Sequence, residues 1–455
     1  MTSKPEYASD IESARSHARS TGLLFVAQIV AAAGAFITTV IIARTLGPSG
    51  RGIYAFAVTV ASLVAIGGQM GFGAAVSFSA AGSPPLRRQA RRAYLLHAGI
   101  GTALIGAGVS VSMAAGVDLL PSASSKSAAL LIGPTALAIT IFDGAYNFRN
   151  AEQRFGLSAA MLMAGGVLPA LVTVVLAVGG VLSPGAALAA WGSARLLIGA
   201  AGWLRPRVEG TSVRDPKLPA ALRSYGRRAF AASVSGIVTL RADQWVLGLI
   251  AGPSALGIYA VAVSVSDPAL YIPYAFQNVL FPRIAAEPKR AVDLTSRTVR
   301  TVIVLVGLFV LVAAPLGLLL LPLVFGHAFA GSRLPFAILL PSAFGIAVLI
   351  LVTSATSASG RPGLASIVEI ATGGTMIGLD LVLIPPLDAT GAAIACTTAY
   401  TFGGVLSVLV FKRLHRAPTM KILPTGADLA SIVRVVRDRI GSRSSAQAQQ
   451  AETTP

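Results

Sequence analysis

Charge is scarce in this chain. Only 12% of its 455 residues are Asp, Glu, Lys or Arg, about half the share of a soluble domain. Acid is scarcest: 18 Asp and Glu stand against 36 Lys and Arg, a net charge of +18. The one cysteine, Cys396, excludes an intramolecular disulfide. Four histidines (His17, His97, His327 and His415) are scattered without a pair at metal-ligand spacing, so no metal site is expected. No G-x-x-x-x-G-K-[ST] segment occurs, so neither built-in ATP hydrolysis nor a cofactor is expected. A cleavable leader is not expected either. The opening 20 residues mix Lys4, Arg15 and Arg19 with Glu6, Asp10 and Glu12, and the apolar run that follows outlasts a signal core, so it reads as an uncleaved anchor.

What fills the chain is apolar sequence: 54% hydrophobic residues, with a mean hydropathy of +0.74. Twelve runs near membrane-crossing length fall at 22–43, 53–81, 93–117, 128–148, 156–180, 186–204, 229–251, 257–283, 299–325, 334–358, 363–384 and 389–411. The reading is an all-α polytopic membrane protein.

The basic residues set its orientation. Connections after even-numbered runs collect nineteen Lys and Arg, including Arg87, Arg88, Arg91, Arg92, Arg149 and Arg154 and seven between Arg205 and Arg228. Connections after odd-numbered runs hold four: Arg44, Arg51, Lys126 and Arg333. Cytoplasmic loops collect cations, so both termini are expected in the cytoplasm, and the positive charge reports topology, with no nucleic-acid partner implied. The outward connections are all short and offer little acid beyond Asp118 and Asp388. A glycosyltransferase or polymerase would need acidic groups in a sizeable outer loop, so the chain reads as a conduit and not an enzyme.

Part of the chain is written twice. T-L-G-P-S-G-R-G-I-Y-A-F-A-V from Thr45 returns as I-A-G-P-S-A-L-G-I-Y-A-V-A-V from Ile250, with nine of fourteen positions identical at an offset of 205. R-F-G-L-S at Arg154 returns as R-P-G-L-A at Arg361, and L-S-P-G-A-A-L-A returns as D-A-T-G-A-A-I-A. Runs one to six thus repeat as runs seven to twelve. Six is even, so the two copies are parallel, an arrangement found in transporters. The domain reading is a tail over 1–21, an N-lobe over 22–204, a linker over 205–228, a C-lobe over 229–411 and a basic tail over 412–455. In that tail Leu429, Ile432, Val433, Val436 and Ile440 form an apolar stripe suited to a helix on the anionic leaflet, with a disordered end beyond Ser442.

Buried ionisable residues are the candidate site. Arg241 and Arg195 fall near the middle of the seventh and sixth runs, where a guanidinium suits phosphate oxygens but also suits pairing with a carboxylate. Arg44, ending the first run, serves either interfacial phosphates or a simple anchor. Asp243, Asp267 and Asp143 are the ion-coupling candidates, and Glu369 and Asp380 are further carboxylates within the runs. Asp243 stands about 200° round the helix from Arg241, so the two address different surroundings. Gly47–Pro48 and Gly252–Pro253 read as structural turns, and Tyr54 and Tyr259 as interfacial rings.

The stretch A-R-T-L-G-P-S-G-R-G-I-Y-A, then R-A-D-Q-W-V-L-G-L-I-A-G-P-S-A-L-G-I-Y-A, F-P-R-I, G-R-P-G-L-A and L-I-P-P-L-D-A-T-G-A-A-I-A, resembles the polysaccharide-transporter branch of the multidrug/oligosaccharidyl-lipid/polysaccharide exporter superfamily. The resemblance implies a MATE-like fold of about twelve helices in two lobes, with spans one, two, seven and eight around a central cavity. It also implies a flippase for polyprenyl-pyrophosphate-linked oligosaccharide in the cytoplasmic membrane, working by alternating access beside membrane lipids, a polysaccharide polymerase and glycosyltransferases. The alternatives are an H⁺- or Na⁺-coupled multidrug antiporter and, last, a non-transporting scaffold for glycan assembly.

Overall fold

A computed structural model describes residues 4–73, 75–76, 84–115, 126–204, 215–417, 420 and 422–424. Asp118, residues 205–214 of the linker and the tail stripe from Leu429 to Ile440 lie outside them. Among the described residues there is helix and no strand.

The helices are α1 (Lys4–Gln69), α2 (Arg87–Tyr94), α3 (Ile100–Ala114), α4 (Lys126–Ala151), α5 (Phe155–Val178), α6 (Pro184–Leu204) and α7 (Leu218–Ile250), followed by α8 (Gly252–Ser266), α9 (Tyr271–Ala286), α10 (Ala291–Phe325), α11 (Arg333–Leu339), α12 (Ser342–Ala358) and α13 (Pro362–Leu414). Eight stretches of described helix are long and apolar enough to cross a membrane, or nine if the pair His327–Leu339 and Ser342–Ala358, bent by 50°, is one span. The protein is therefore an all-helical, multi-pass membrane protein.

Two helices exceed a single crossing. With 66 and 53 residues, α1 and α13 would each reach more than twice the ~30 Å hydrocarbon thickness at about 1.5 Å per residue. Each contains a break. In α1 it is Gly47, at φ 65° and ψ −172°, followed by Pro48. In α13 it is Asp388, at φ 48° and ψ −128°, just after Pro385 and Pro386. The proline at each break removes a backbone donor, and the positive φ reverses the path. Gly252, at φ 79°, makes the same reversal between α7 and α8.

Contacts divide the chain into two compact units. The first holds Met1–Val265, Leu319–Phe336 and Gly373–Ala395; the second holds Ser266–Leu318, Ala337–Thr372 and Cys396–Pro455. In the first, small residues let backbones touch. A Cβ on Gly34 would stand 2.5 Å from the Gly166 carbonyl group, and one on Gly106 would stand 2.9 Å from Gly133 Cα. Helices in lipid gain little from mutual apolar burial, so close packing of this kind is what holds them. The second unit has its own core of Val299, Val302, Val306, Ala347, Leu351 and Phe411. Its α10 exposes Leu308, Leu311 and Val312, an apolar face explained by lipid rather than water.

Arg149, counted above among the loop cations, is fully buried. Its Nε donates 3.0 Å to the Gly202 carbonyl, its Nη2 donates to the same oxygen, and its Nη1 pairs with Glu152 at 2.5 Å. A cation on the last turn of α6 neutralises exposed carbonyls there. Charge counting read this residue as a topology signal, but its position in the fold is that of a helix cap.

Candidate functional site

The site is assembled within the first unit from α1, α4, α6, α7, α8 and the middle of α13. Arg51 lies one turn past the break in α1, and its side chain is only 6% exposed. Its Nη2 donates 3.4 Å to Ser264 Oγ on α8, and its guanidinium stands 5.6 Å from the Tyr54 ring centre. Its Nε finds no hydrogen-bond partner among the described residues. Arg241, half-buried on α7, is close enough for its charge to act on Arg51. Arg195 on α6 is also in electrostatic range of Tyr54. Three cations on three helices are thus linked electrostatically through Arg51 and Tyr54.

Arg195 is held by aromatic faces. Its guanidinium lies 4.3 Å from the Trp191 ring centre and 4.8 Å from that of Phe142. Asp143 approaches only to 3.9 Å of Nη1 and also takes a hydrogen bond from Gln69. The Nε atom of Arg195 is buried without a hydrogen-bond partner among the described residues. Stacking fixes the plane of a guanidinium while leaving its edge free to bind. At 3.9 Å the Asp143 pair leaves much of the donor capacity of Arg195 uncommitted. The sequence candidates Arg195 and Asp143 are therefore neighbours, and Arg241 joins Arg195 through the Arg51–Tyr54 pair.

A second group lies close by on α7, α8 and α13. Asp243 is buried; its Oδ2 accepts from Tyr259 Oη at 2.5 Å and its Oδ1 from the Gln244 backbone N–H at 2.7 Å. Asp380 on α13 is completely buried, and neither carboxyl oxygen meets a hydrogen-bond partner among the described residues. The two carboxyl groups act on one another electrostatically. They also stand at similar distances from the ends of their helical segments. Asp243 is seven residues before the end of α7 and Asp380 eight before the break in α13, or ~10–12 Å at about 1.5 Å per residue. Like charges brought together in a buried site repel, so the pair costs more than either acid alone. Asp243 and Asp380 together form the carboxylate candidate for ion coupling in this unit.

Other candidates go elsewhere. Arg44 is exposed and binds the end of α10, with Nε 2.7 Å from the Val324 carbonyl and Nη2 2.5 Å from that of Leu323. Asp267 belongs to the second unit, where it opens a short 3-10 turn, Asp267–Leu270, between α8 and α9. Tyr54 and Tyr259, expected at the interface, are both buried. The reason is close helix packing: both rings follow glycines where two backbones touch. The repeat has diverged in use, since Tyr54 sits among arginines whereas Tyr259 binds an aspartate.

Comparisons with known proteins agree with this architecture. The family described as "Polysaccharide biosynthesis protein" matches residues 17–286. Among solved structures, the chain is similar to the lipid II flippase MurJ in an inward closed conformation, with a TM-score of 0.71 and 12% identity over 88% of each chain. It is similar to a Vibrio cholerae MATE transporter, with a TM-score of 0.66 and 16% identity over 90% of this chain and 98% of that one. A MOP superfamily transporter from Pyrococcus furiosus gives a TM-score of 0.59 and 14% identity, covering 88% and 96%. At these identities the likeness establishes the fold. A search of curated proteins finds no match.

Proposed function

The chain belongs to the polysaccharide biosynthesis protein family, and from that premise we propose that it is a flippase that carries a polyprenyl-pyrophosphate-linked oligosaccharide across the cytoplasmic membrane. The observation that supports this reading is Arg51 beside Tyr54, with Arg195 in electrostatic range of Tyr54 and Arg241 in range of Arg51. A pyrophosphate crossing lipid needs its charge met, and guanidinium groups match its oxygens two at a time. A cation at bilayer depth costs about 2.5–3.5 kcal/mol on insertion scales, so each needs a reason, and an anionic substrate group supplies one.

The same three charges repel a cationic drug, which speaks against the multidrug antiporter. Asp243 and Asp380 supply the driving step: a proton or Na⁺ taken up between them offsets their repulsion and favours one conformation. Twelve crossings follow if the bent pair is one span, α1 and α13 each cross twice at their breaks and α7 crosses once. Both termini then lie in the cytoplasm, and the halves 22–204 and 229–411 rock about the substrate. The headgroup enters from the cytoplasm while the polyprenyl chain stays in lipid. A polymerase and glycosyltransferases would act before and after it.

A deletion strain tests this directly. It should accumulate lipid-linked glycan on the cytoplasmic leaflet and lose the surface polymer. Normal polymer export with altered dye resistance would sink the flippase reading.

A further inference from the structure

The two copies of the repeated hairpin meet each other. A Cβ on Gly52 would lie 1.7 Å from the Pro253 carbonyl oxygen, and a Cβ on Gly257 would lie 1.9 Å from that of Pro48. The contact is reciprocal: each glycine opens a helical run, and each receives the carbonyl of the other copy's turn. Any side chain at either position would push the two backbones apart. These glycines differ in kind from Gly47 and Gly252, whose positive φ makes the turns themselves.

More contacts join the halves at this end. Arg44, three residues before the first turn, donates to the carbonyls of Val324 and Leu323 that end α10. Phe36 on α1 meets Phe325 edge-on at 5.7 Å. Within the second half, Ser332 Oγ donates 2.7 Å to the Ile258 carbonyl, one residue past the glycine crossing, and steadies that copy of the hairpin. Arg51 lies directly beneath, adjacent in sequence to Gly52, and reaches along α8 to Ser264.

We infer that the duplicated G-P-S-x-x-G-I-Y-A segment is the outward gate of the transporter, shut in this conformation by the Gly52–Gly257 crossing and latched by Arg44 on the end of α10. The assignment to the outer face rests on the flippase topology given above; the gate itself rests on the contacts. Glycine at both crossings allows dry backbone contact with no side-chain packing to undo, so the seal can break and re-form. Arg44 is exposed, so its two bonds can exchange with water, which suits a latch better than a permanent cap. Opening must separate the copies, and it exposes Arg51 first.

The gate can be read without substrate, through a thiol placed beneath it. Thr59, buried two turns below Gly52, takes a Thr59→Cys reporter in a Cys396→Ser background. Labelling uses a membrane-impermeant maleimide added outside intact cells. Gly52→Ala and Gly257→Ala should each raise the labelling rate by holding the copies apart. Arg44→Ala, which adds no bulk and removes only surface hydrogen bonds, should raise it roughly tenfold, with Arg44→Lys intermediate. Unchanged labelling in the Arg44→Ala protein, which is not at risk of misfolding by overpacking, would overturn the latch. Unchanged labelling in the glycine variants, with normal membrane abundance, would overturn the gate. Increased labelling only from the cytoplasmic side of inverted vesicles would overturn its outward placement. Raised labelling alongside normal glycan export in the deletion strain would leave the gate standing and remove the flippase reading.

Discussion

Glycan export should fall about a hundredfold when Arg241 is replaced by alanine, because truncating one member of a buried charge-paired contact costs about 2–5 kcal/mol. Arg241→Lys keeps the charge but loses the planar fork, so it should retain part of the activity. The same ordering is expected at Arg51, whose burial and unpartnered Nε point it at an anion rather than at lipid headgroups. Arg195 should respond differently. Its stacking between Trp191 and Phe142 makes a lysine there a poor substitute, so Arg195→Lys should resemble Arg195→Ala. The measurement is surface polymer in a complemented deletion strain, normalised to protein in the membrane. Wild-type export with Arg241→Ala and Arg51→Ala would remove both from the site.

The second large effect is expected at the acid pair. Asp380→Asn preserves shape while removing the group that can release a proton or cation. Coupling energies of about 1–3 kcal/mol correspond to roughly 5–150-fold, so export should fall within that range. What remains should no longer respond to collapse of the proton or Na⁺ gradient. Asp243→Asn should act in the same direction and should also weaken the Tyr259 contact. The double variant should be no worse than the stronger single one if the pair works as one unit. Export that keeps its full rate and its gradient dependence in Asp380→Asn would exclude the pair from coupling.

Much of the fold is legible in the sequence because lipid imposes a simple rule. Each crossing must satisfy its own backbone, so the apolar runs read directly as helices. The breaks were visible too, as Gly47–Pro48 and the L-I-P-P-L-D segment before Asp388. What periodicity does not reveal is which helices touch. Arg51 reads as a loop cation near an outer turn, since its burial comes from α8 laid across it. Arg149 reads as a topology charge for the same reason; its partner carbonyl at Gly202 is 53 residues away.

The site shows the same division. Arg241, Arg195, Asp243 and Asp143 stand out because ionisable groups are rare in apolar runs. Asp380 was recognisable as an intramembrane acid, but its pairing with Asp243 depends on α13 lying beside α7 near Gly373, where a Cβ would come within 3.1 Å of Val238. The repeat was legible as duplication long before its use was. Nothing in one copy announces that Gly52 packs on the other copy's Pro253, although equal spacing from turn to glycine to tyrosine in both was the available signal.

Leaflet transfer in a defined system tests the central claim most directly. Purified protein is reconstituted into vesicles holding polyprenyl-pyrophosphate-linked oligosaccharide in both leaflets, and a glycan-specific lectin or hydrolase is added outside. The account predicts that the inner-leaflet pool, protected in empty vesicles, becomes accessible with the wild-type protein and stays protected with Arg241→Ala. An inner pool that stays protected with active wild-type protein, while a cationic dye moves in exchange for H⁺ or Na⁺, would contradict it.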